Sequence, residues 1–432
     1  MTQTTKEKKQ ASVMMEHLIK ISPLHRMIVS PGLDETFSVI KEKYPEMTIH
    51  EYPTGLEIED WIIPQSWEVK HGHLKSKNGN VIGSTDENHL FVVPYSEEVE
   101  GWFTKEEIGK HLSTRKDMPE EYALELRNAY DYRVSDWGIS LPHNRWENLK
   151  SDQKYHVSIE VNNNPGKMKV AEYFRPGKKK ETICFCAHID ELCNDDLSGC
   201  VVAMELIPFL DNLRDPLYSY QVLIVPEMFG MLYYIGHNKD RVANMTGMVQ
   251  LESLGAGKTL CLKKSLVEDS LVERVLRMAI TSENVPFEEM KFFEGYGNDE
   301  RVIAWPTLNI PGVALQRYPF PEYHTSADTV DIIQEDLLVE ALQISEKVVE
   351  ILEENIVYRY TNTLQPWLTK HGLYYDCHKE PERFQKFANT ILFHINGKRS
   401  VLDLAGLADV DIFDVSQYLK RFLEQGLVQK VE

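Results

Sequence analysis

From about residue 151, apolar strands alternate with helices, and this pattern limits the folds that the chain can adopt. Four apolar runs have the length and composition of buried strands: TICFCAH, YQVLIVPE, GMVQLES and PGVALQR. Helical patterns follow at 197–211, 266–283 and 335–356. Strands that alternate with helices form a parallel or mixed sheet with helices on both faces. The sequence therefore predicts an α/β fold for this part of the chain.

Length and patterning predict more than one domain, because 432 residues are enough for two or three separate cores. The first ~50 residues have helical patterns that close at Pro45. Between 56 and 150, short alternating runs are broken by turn signals such as the Asn-Gly of KNGN, which is typical of a small β-rich domain. Residues 385–432 have a compact helical pattern that ends in a short apolar strand.

Composition excludes several classes of protein. The net charge of -20 argues against a general affinity for nucleic acid or anionic membranes. No apolar run approaches the ~18 to 20 residues of a membrane span, and MTQTTKEKKQ does not resemble a signal peptide, so we expect a cytoplasmic protein. Four of the six cysteines lie around one apolar strand without a CxxC pair, which favours reduced, buried thiols over a thiolate zinc site.

Residues that can bind a metal follow each of the four predicted strands. In chain order they are His188, Asp190, Glu191, Asp195 and Asp196, then Glu227, then Glu252, then His324 and Asp328. Ligands of α/β sheets bind at the carboxyl ends of the strands, where these residues would meet. Histidines and carboxylates suit zinc. Each residue alone also fits an ordinary loop or helix cap, but four such positions in order favour a metal site, with Asp190 orienting His188.

The order HID, NDDLSG, PE, LES and YHTSAD resembles that of the co-catalytic zinc aminopeptidases. Nearly the whole chain also resembles a bacterial group of aminopeptidase-like proteins associated with polysaccharide biosynthesis, through DWIIPQSWEV, NHLFVVPYS, YDYRVSDWGISLPHNRWENL and GNDER. The resemblance implies a phosphorylase/hydrolase-like zinc-peptidase sheet flanked by helices, with an inserted small β domain and a C-terminal winged-helix domain. The implied divisions are an N-terminal helical segment (1–55), a β domain (56–150), a peptidase-like domain (151–365) and a winged helix (370–432).

The resemblance also implies a metal-ligand set. His188 would bind one metal, Asp195 would bridge, and His324 would bind on the other side. Glu252 stands where the aminopeptidases have a liganding Asp. These residues would hold one or two Zn²⁺ ions.

Glu227 departs from the pattern of that family, in which a Glu-Glu pair supplies a general base and then a ligand. This chain has Pro226-Glu227-Met228 instead. If Glu227 takes the first place it is the base, a ligand is missing and one zinc is favoured. If it takes the second place, both metals keep their ligands and the base is missing. The first register is preferred because Gly230 then keeps its spacing to Glu227.

The resulting hypothesis is a zinc-dependent hydrolase of peptide or amide bonds. Glu227 would be the general base, with Asp190 as the second catalytic residue. Arg301, Arg317 and Tyr323 are candidates for binding the substrate. For the two arginines, an ion pair with Asp299 or Glu300 is an equally good structural explanation.

Three alternatives stay open. His188, Glu191 and His324 have the spacing of zinc carboxypeptidase ligands, and Pro226 with Met228 would also suit an inactive binding module on a peptidase fold. A DNA-binding regulator is the third. Residues 386–432 have six basic and six acidic residues, however, and this zero net charge fits protein docking or dimerisation better than binding to the phosphates of DNA. We therefore expect a peptide or amide substrate, no nucleic-acid or membrane partner, and any homo-oligomer to form through the winged-helix or β domain.

Overall fold

The protein is described by a computed structural model that covers residues 4–129, 135–190 and 192–431. Its strands are β1 Thr48–Pro53, β2 Glu57–Ile58, β3 Trp61–Ile62, β4 Ser66–Lys75, β5 Val81–Ser84, β6 Val99–Thr104, β7 Leu112–Ser113, β8 Ile139–Ser140, β9 Lys154–Asn164, β10 Lys167–Arg175, β11 Thr182–His188, β12 Ser219–Val225, β13 Met245–Glu252, β14 Leu260–Lys263, β15 Phe287–Met290, β16 Gly312–Arg317, β17 Tyr358–Tyr360 and β18 Val428–Lys430.

The helices are α1 Thr5–Ile21, α2 Pro31–Lys43, α3 Lys105–Ile108, α4 His143–Glu147, α5 Leu197–Asp211, α6 Phe229–His237, α7 Lys239–Val242, α8 Leu271–Ser282, α9 Asp299–Ile303, α10 Glu335–Glu354, α11 Pro381–Arg383, α12 Leu392–His394, α13 Val401–Ala408 and α14 Ile412–Glu424. Short 3-10 turns lie at His89–Phe91, Val330–Ile332 and Leu368–His371, and a π-helix spans Phe384–Ile391.

Eight strands form one large mixed sheet in the order β1-β10-β12-β11-β13-β16-β14-β15. β11 lies at its centre, parallel to β12 on one side and to β13 on the other, and β13 is parallel to β16. These four strands are the ones that the apolar runs predict. Towards the edges, β10 runs antiparallel to β12 and β14 runs antiparallel to β16. The predicted α/β class is confirmed, and the sheet is of the mixed kind.

Side-chain alternation along β11 fills a core on each face of the sheet. All seven residues of this strand are buried. Phe185 packs into the core that contains residues of α1, α5, α8 and α10, whereas Cys184 and Cys186 pack into the opposite core with residues of α6. Burial of one such phenylalanine stabilises the fold by ~1.5 to 3 kcal/mol. Because side chains alternate between faces, His188 continues the face of Cys184 and Cys186 at the end of the strand.

The three predicted helices are present with small changes at their ends. α5 spans the predicted 197–211, and α10 ends two residues before the predicted 356. α8 begins at Leu271 rather than at 266, because residues before Ser270 form turns instead of a first helical turn. α10 buries one apolar face that includes Leu338, Leu342 and Ile351.

A smaller four-stranded sheet has the order β5-β4-β9-β6. Its core is separate and includes Trp67, Phe91 and Val157. β9 lies beyond the predicted boundary at 150 but pairs antiparallel with β4 from Ser66 to Lys75, while β1, from the predicted helical segment, pairs with β10 of the large sheet. We therefore keep the division into domains as a proposal in which the smaller unit includes β9.

The C-terminal residues pack against the large sheet's helical layer. β17 and β18 form an antiparallel pair, and α14 contacts α10. Arg274 of α8 forms a 2.5 Å ion pair with Asp403 of α13. The winged-helix assignment of 370–432 stays a prediction. Among the helices of the described residues, none combines the length and apolarity needed to span a bilayer.

Candidate metal centre

Three buried side chains converge where the central strands end. His188 is the last residue of β11, Glu252 is the last of β13, and Asp195 lies in the loop before α5. His188 Nε2 is 3.4 Å from Asp195 Oδ1 and 3.5 Å from Glu252 Oε2. Each residue offers a ligand atom within 4.8 Å of those of the other two. One imidazole and two carboxylates are a donor set that zinc accepts.

The buried ring of His188 fits a ligand role. Its side chain is only 2% exposed, yet neither ring nitrogen makes a well-directed hydrogen bond to a residue that the structure describes. A buried polar atom without a partner is costly unless something absent from the protein chain satisfies it. Because Nε2 faces two carboxylates, a cation shared among the three groups would satisfy it.

His324 approaches Asp195 from the opposite side. Its Nε2 is 3.0 Å from Asp195 Oδ2, so the two oxygens of Asp195 face one histidine each. The His324 ring stacks on Tyr323 at a centroid distance of 3.9 Å, and Tyr323 stacks on Tyr296 at 4.2 Å. The structure thus brings His188, Asp195, Glu252 and His324 together, and Tyr323 lies beside them.

Charge in the cluster is balanced by opposite neighbours. Burial raises the pKa of Glu252 above its ordinary value. Burial opposes ionisation of Asp195 too, but the imidazoles of His188 and His324 lower the pKa of this carboxyl. Burial likewise opposes a charge on His188, whereas Glu252 and Asp190 raise the pKa of its ring. A divalent cation would replace the protons that this arrangement attracts.

Asp190 connects the cluster to the turn that carries Glu227. Asp190 Oδ1 is 3.4 Å from His188 Nδ1 and accepts a 2.8 Å hydrogen bond from the backbone nitrogen of Glu227. The next residue, Met228, has a φ of 56° and donates its backbone N–H to Asp299 Oδ1 at 3.0 Å. A positive φ is unfavourable for methionine, and such strain is common at functional sites.

Glu252 has two further partners. Asn298, in the loop before α9, donates its side-chain amide to Glu252 Oε2, and Ser253 Oγ donates to Glu252 Oε1 at 3.0 Å. Asn298 belongs to GNDER, which contributes to the family resemblance, but no motif or spacing in the sequence assigns a role to this residue. Its place in the sequence, after a glycine and before a short helix, is a weak indication of a functional residue.

The loop between His188 and Asp195 is held by buried polar groups from distant parts of the chain. Arg26, fully buried between α1 and α2, donates to the carbonyl oxygens of Ile189 at 2.8 Å and Leu192 at 2.6 Å. Asp328 accepts from the backbone nitrogens of Asn194 at 2.6 Å and Asp195 at 3.1 Å. These contacts fix the loop's conformation, and no pattern in the sequence predicts the contribution of Arg26.

Asp196 caps α5 and ties it to β13. Its Oδ1 accepts hydrogen bonds from Gly199 N at 3.0 Å and from Ser253 N at 2.9 Å. Asp196 is fully buried and stands next to the predicted bridging residue Asp195. The two adjacent aspartates therefore have different contacts. Asp195 faces His188 and His324, whereas Asp196 caps the start of α5.

The two predicted substrate arginines have different surroundings. The guanidinium of exposed Arg301 lies beside Gly297, where an added Cβ would be 1.8 Å from Arg301 Cζ. Glu300, a suggested partner, pairs with Lys263 instead, at 2.5 Å. Arg317 is buried and forms an ion pair with Glu340 of α10, so the structure does not bring it to the cluster. Glu191, on which the carboxypeptidase-like ligand set depends, lies outside the described residues.

A family profile described as a domain of unknown function (DUF4910) matches residues 15–355. The chain belongs to the DUF4910 family. A similar protein from Clostridium acetobutylicum has the provisional name of a polysaccharide biosynthesis protein with an aminopeptidase-like domain. The two are 27% identical over 393 residues, which is 89% of each chain. The predicted family resemblance is confirmed.

Solved structures similar to this DUF4910 chain share its architecture. A crystal structure from C. acetobutylicum, provisionally named a peptidase, has a TM-score of 0.86 at 24% identity and covers 98% of this chain and 97% of its own. A zinc aminopeptidase from Bacillus subtilis has a TM-score of 0.60 at 13% identity, covering 79% and 94%. A Peptidase M28 precursor from Shewanella amazonensis has a TM-score of 0.55 at 14% identity, covering 83% and 97%. The fold is that of the aminopeptidases.

Proposed function

We propose that this protein is a zinc-dependent, aminopeptidase-like hydrolase of peptide or amide bonds. The observation that carries the proposal is the buried convergence of His188, Asp195 and Glu252 at the ends of the central strands. The aminopeptidase fold and the name of the Clostridium relative support a peptidase-type reaction.

The ligands of the proposed zinc ion are His188, Asp195 and Glu252, with His324 on the far side of Asp195. When bound, zinc would polarise a carbonyl oxygen and make a water molecule more acidic. We favour one ion, because assigning Glu227 as general base leaves the second position with fewer protein ligands.

Glu227 is the proposed proton carrier. Its carboxylate would accept a proton from the attacking water and donate it to the leaving amine. Asp190 supports this role indirectly, since the same carboxylate faces His188 and accepts the backbone N–H of Glu227. Asp190 would thereby fix the position of Glu227 relative to the ligand His188, so we class it as a positioning residue.

Two aromatic or basic side chains are proposed to contact the substrate. Tyr323 stacks on His324, so it borders the side of the cluster that His324 closes. Arg301 is exposed and follows Asn298, the residue that donates to Glu252. A guanidinium there would stabilise a substrate carboxylate or the oxyanion of the tetrahedral intermediate. Arg317 is not retained as a substrate-binding residue, because its guanidinium is paired with the carboxylate of Glu340.

The decisive experiment is a count of zinc per chain by inductively coupled plasma mass spectrometry, on protein purified without a metal-affinity tag. We expect zinc in the wild type, its loss in His188→Ala, and its retention in the control His378→Ala, which changes an exposed histidine. His324→Ala distinguishes one bound ion from two, since it would remove only part of the zinc if two ions bind.

Release of the amine from aminoacyl anilides tests turnover in the same preparations. Absence of zinc even after incubation with the metal would contradict the proposal and leave a metal-free binding protein on a peptidase fold. Zinc without turnover on a broad panel of peptides and acylated amines would leave an inactive metal-binding module.

A further inference from the structure

A cavity lined in part by Phe229, two residues after Glu227, has no role in the reaction proposed above. Its volume is about 660 Å³, within the ~300 to 1,000 Å³ range of small-molecule sites. It lies between the smaller sheet and the start of α6. Its walls include Trp61, Trp67, Tyr95, Asn128 and Phe229.

One wall of the cavity leads directly to Glu227. Phe229 follows Glu227 after a single residue and donates its backbone N–H to the carbonyl oxygen of Glu227 at 2.6 Å. Tyr95, on the same wall, has its pKa raised mainly by burial and further by the charge of Asp190. The cavity therefore begins at the turn that carries the proposed base.

A second segment that lines the cavity is connected to the His324 turn. The segment 122–129 runs from the His324 turn, where Leu124 N donates to His324 O at 2.9 Å, to the cavity, which Asn128 and Ala129 line. Two of the segments that line the cavity are thus connected through the backbone to the turns of Glu227 and His324.

Aromatic rings form the apolar part of the walls. Trp61 and Phe229 meet edge to face with centroids 5.1 Å apart, and Trp67 and Tyr95 lie 5.9 Å apart. Trp61 is half-buried, so part of its ring is available to a ligand. Flat aromatic surfaces bind the C–H face of a sugar ring, while the polar edge of the ring needs hydrogen-bonding partners.

Asn128 provides a buried polar group that no described residue satisfies. Its residue exposure is 7%, and its Nδ2 has no hydrogen-bond partner among the described residues. A buried amide donor of this kind requires an acceptor oxygen. An apolar peptide side chain in the cavity would leave the donor unpaired, whereas a hydroxyl or acetamido oxygen would pair with it.

Charge narrows the class of ligand further. The described lining residues include the carboxylates of Asp60 and Glu97 and the amides of Gln65 and Asn163, but no lysine or arginine. Among these described side chains, a phosphorylated or nucleotide-linked sugar would meet carboxylates without a compensating cation. A neutral or amino sugar would meet side chains that accept hydrogen bonds from its hydroxyl and amine groups.

We propose that this cavity is a carbohydrate subsite that binds a hexosamine, free or N-acylated, as part of the hydrolase's substrate. The inference rests on the proposed function, since it assigns the amide cleaved at the cluster to a molecule that carries an amino sugar. Trp61 and Phe229 provide the apolar surface, and Asn128 donates to an oxygen of the sugar.

The test is a titration of the full-length, zinc-loaded protein with N-acetylglucosamine and N,N′-diacetylchitobiose, followed by saturation-transfer NMR and calorimetry. We expect saturable binding that becomes roughly tenfold weaker or more in Trp61→Ala, a typical cost of removing an aromatic anchor. Asn128→Leu, which removes the donor at similar volume, should weaken binding as well. Trp102→Ala is the matched control, because this tryptophan is 47% exposed and does not line the cavity.

Three results would overturn the carbohydrate subsite. One is the absence of saturable sugar binding to wild-type protein, and another is undiminished binding by Trp61→Ala and Asn128→Leu when circular dichroism shows both to be folded. The third is Trp61-dependent binding of a leucyl dipeptide but not of either sugar. Zinc content, measured on the same samples, tests the proposed hydrolase independently. Sugar binding by protein that holds no zinc would contradict the hydrolase proposal but support the carbohydrate subsite.

Discussion

Glu227 illustrates how a single residue depends on the turn that presents it. Its backbone is fixed by Asp190, and the following Met228 is held by Asp299. We expect Glu227→Gln to preserve the fold and zinc content, because glutamine keeps the shape of the side chain. Turnover should fall by ~10² to 10⁴, the usual contribution of a general base.

Steady-state kinetics on an aminoacyl anilide would measure this loss. Glu268→Gln, at an exposed site, is the matched control and should keep wild-type turnover. A wild-type rate in Glu227→Gln would show that Glu227 is not the base and would favour the register in which it is a metal ligand.

His25 makes folding stability depend on pH. Burial lowers its pKa from 6.5 to about 3, with smaller effects of His89 and Arg26. Its Nε2 is buried without a hydrogen-bond partner among the described residues. As the pH falls below 6.5, the imidazole of His25 therefore gains a proton in the unfolded chain, whereas in the folded protein it stays neutral until the pH approaches 3. The stability from this group is complete above pH 6.5 and is lost as the pH falls towards 3, at up to ~1.4 kcal/mol per pH unit.

Urea unfolding at pH 7 and pH 5 would measure this effect. His25→Gln should reduce the loss of unfolding free energy between the two pH values, whereas the exposed control His378→Gln should not. An identical pH dependence in wild type and His25→Gln would exclude His25 as the titrating group.

At the scale of elements, the start of α5 is positioned by close contact with β13. A Cβ added to Gly199 would lie 2.3 Å from Leu251 O and 2.5 Å from Asp196 Oδ1. We expect Gly199→Ala to move the helix start, reduce stability by ~1 to 3 kcal/mol as overpacking does, and lower the zinc content because Asp195 precedes this helix.

Thermal unfolding with zinc analysis would check this prediction. Gly406→Ala is a suitable control, because Gly406 is an exposed residue of α13 with no atom within 4 Å of an added Cβ. That substitution should leave stability unchanged or increase it by ~1 kcal/mol, since alanine favours helices. Equal behaviour of the two variants would contradict the packing argument.

At the scale of the whole molecule, one apolar core extends from the large sheet into the C-terminal helices. Leu419 and Phe422 of α14 belong to the same cluster as Phe185 of β11. Lys420 of α14 also pairs with Glu354 of α10 at 2.7 Å. We expect the sheet and the C-terminal helices to unfold together, so that Leu419→Ala lowers the temperature of the whole transition by removing ~2 to 5 kcal/mol.

Scanning calorimetry would show the transition, with Leu407→Ala as the control because Leu407 is 49% exposed. A variant in which a C-terminal transition separates from an unchanged main transition would show that the two regions fold independently. The role of the C-terminal residues as a docking or dimerisation surface stays a prediction.

Local patterns in the sequence determined the central elements. β11, β12, β13 and β16 are continuous apolar runs, and α5 and α10 have clear helical patterns, so each could be located without knowledge of its neighbours. The metal-site candidates could be named for the same reason, because each lies at the end of a run or in the loop that follows it. Parallel strands then bring these ends to one edge of the sheet.

Contacts between distant segments were decided only by the tertiary structure. β9 joins the smaller sheet through pairing with β4, about ninety residues earlier, and nothing local in the strand selects this partner. Arg26 reaches the loop that leads to Asp195, and Asn298 reaches Glu252, from separate loops, so no spacing rule connects them to His188. Arg317, although close to His324 in sequence, faces α10 because successive strand residues point to opposite faces. The sequence alone determined the strands and the chemistry at their ends, because both follow from neighbouring residues. The distant groups that hold that chemistry in place could not be identified in this way, because long-range contacts depend on how the elements pack.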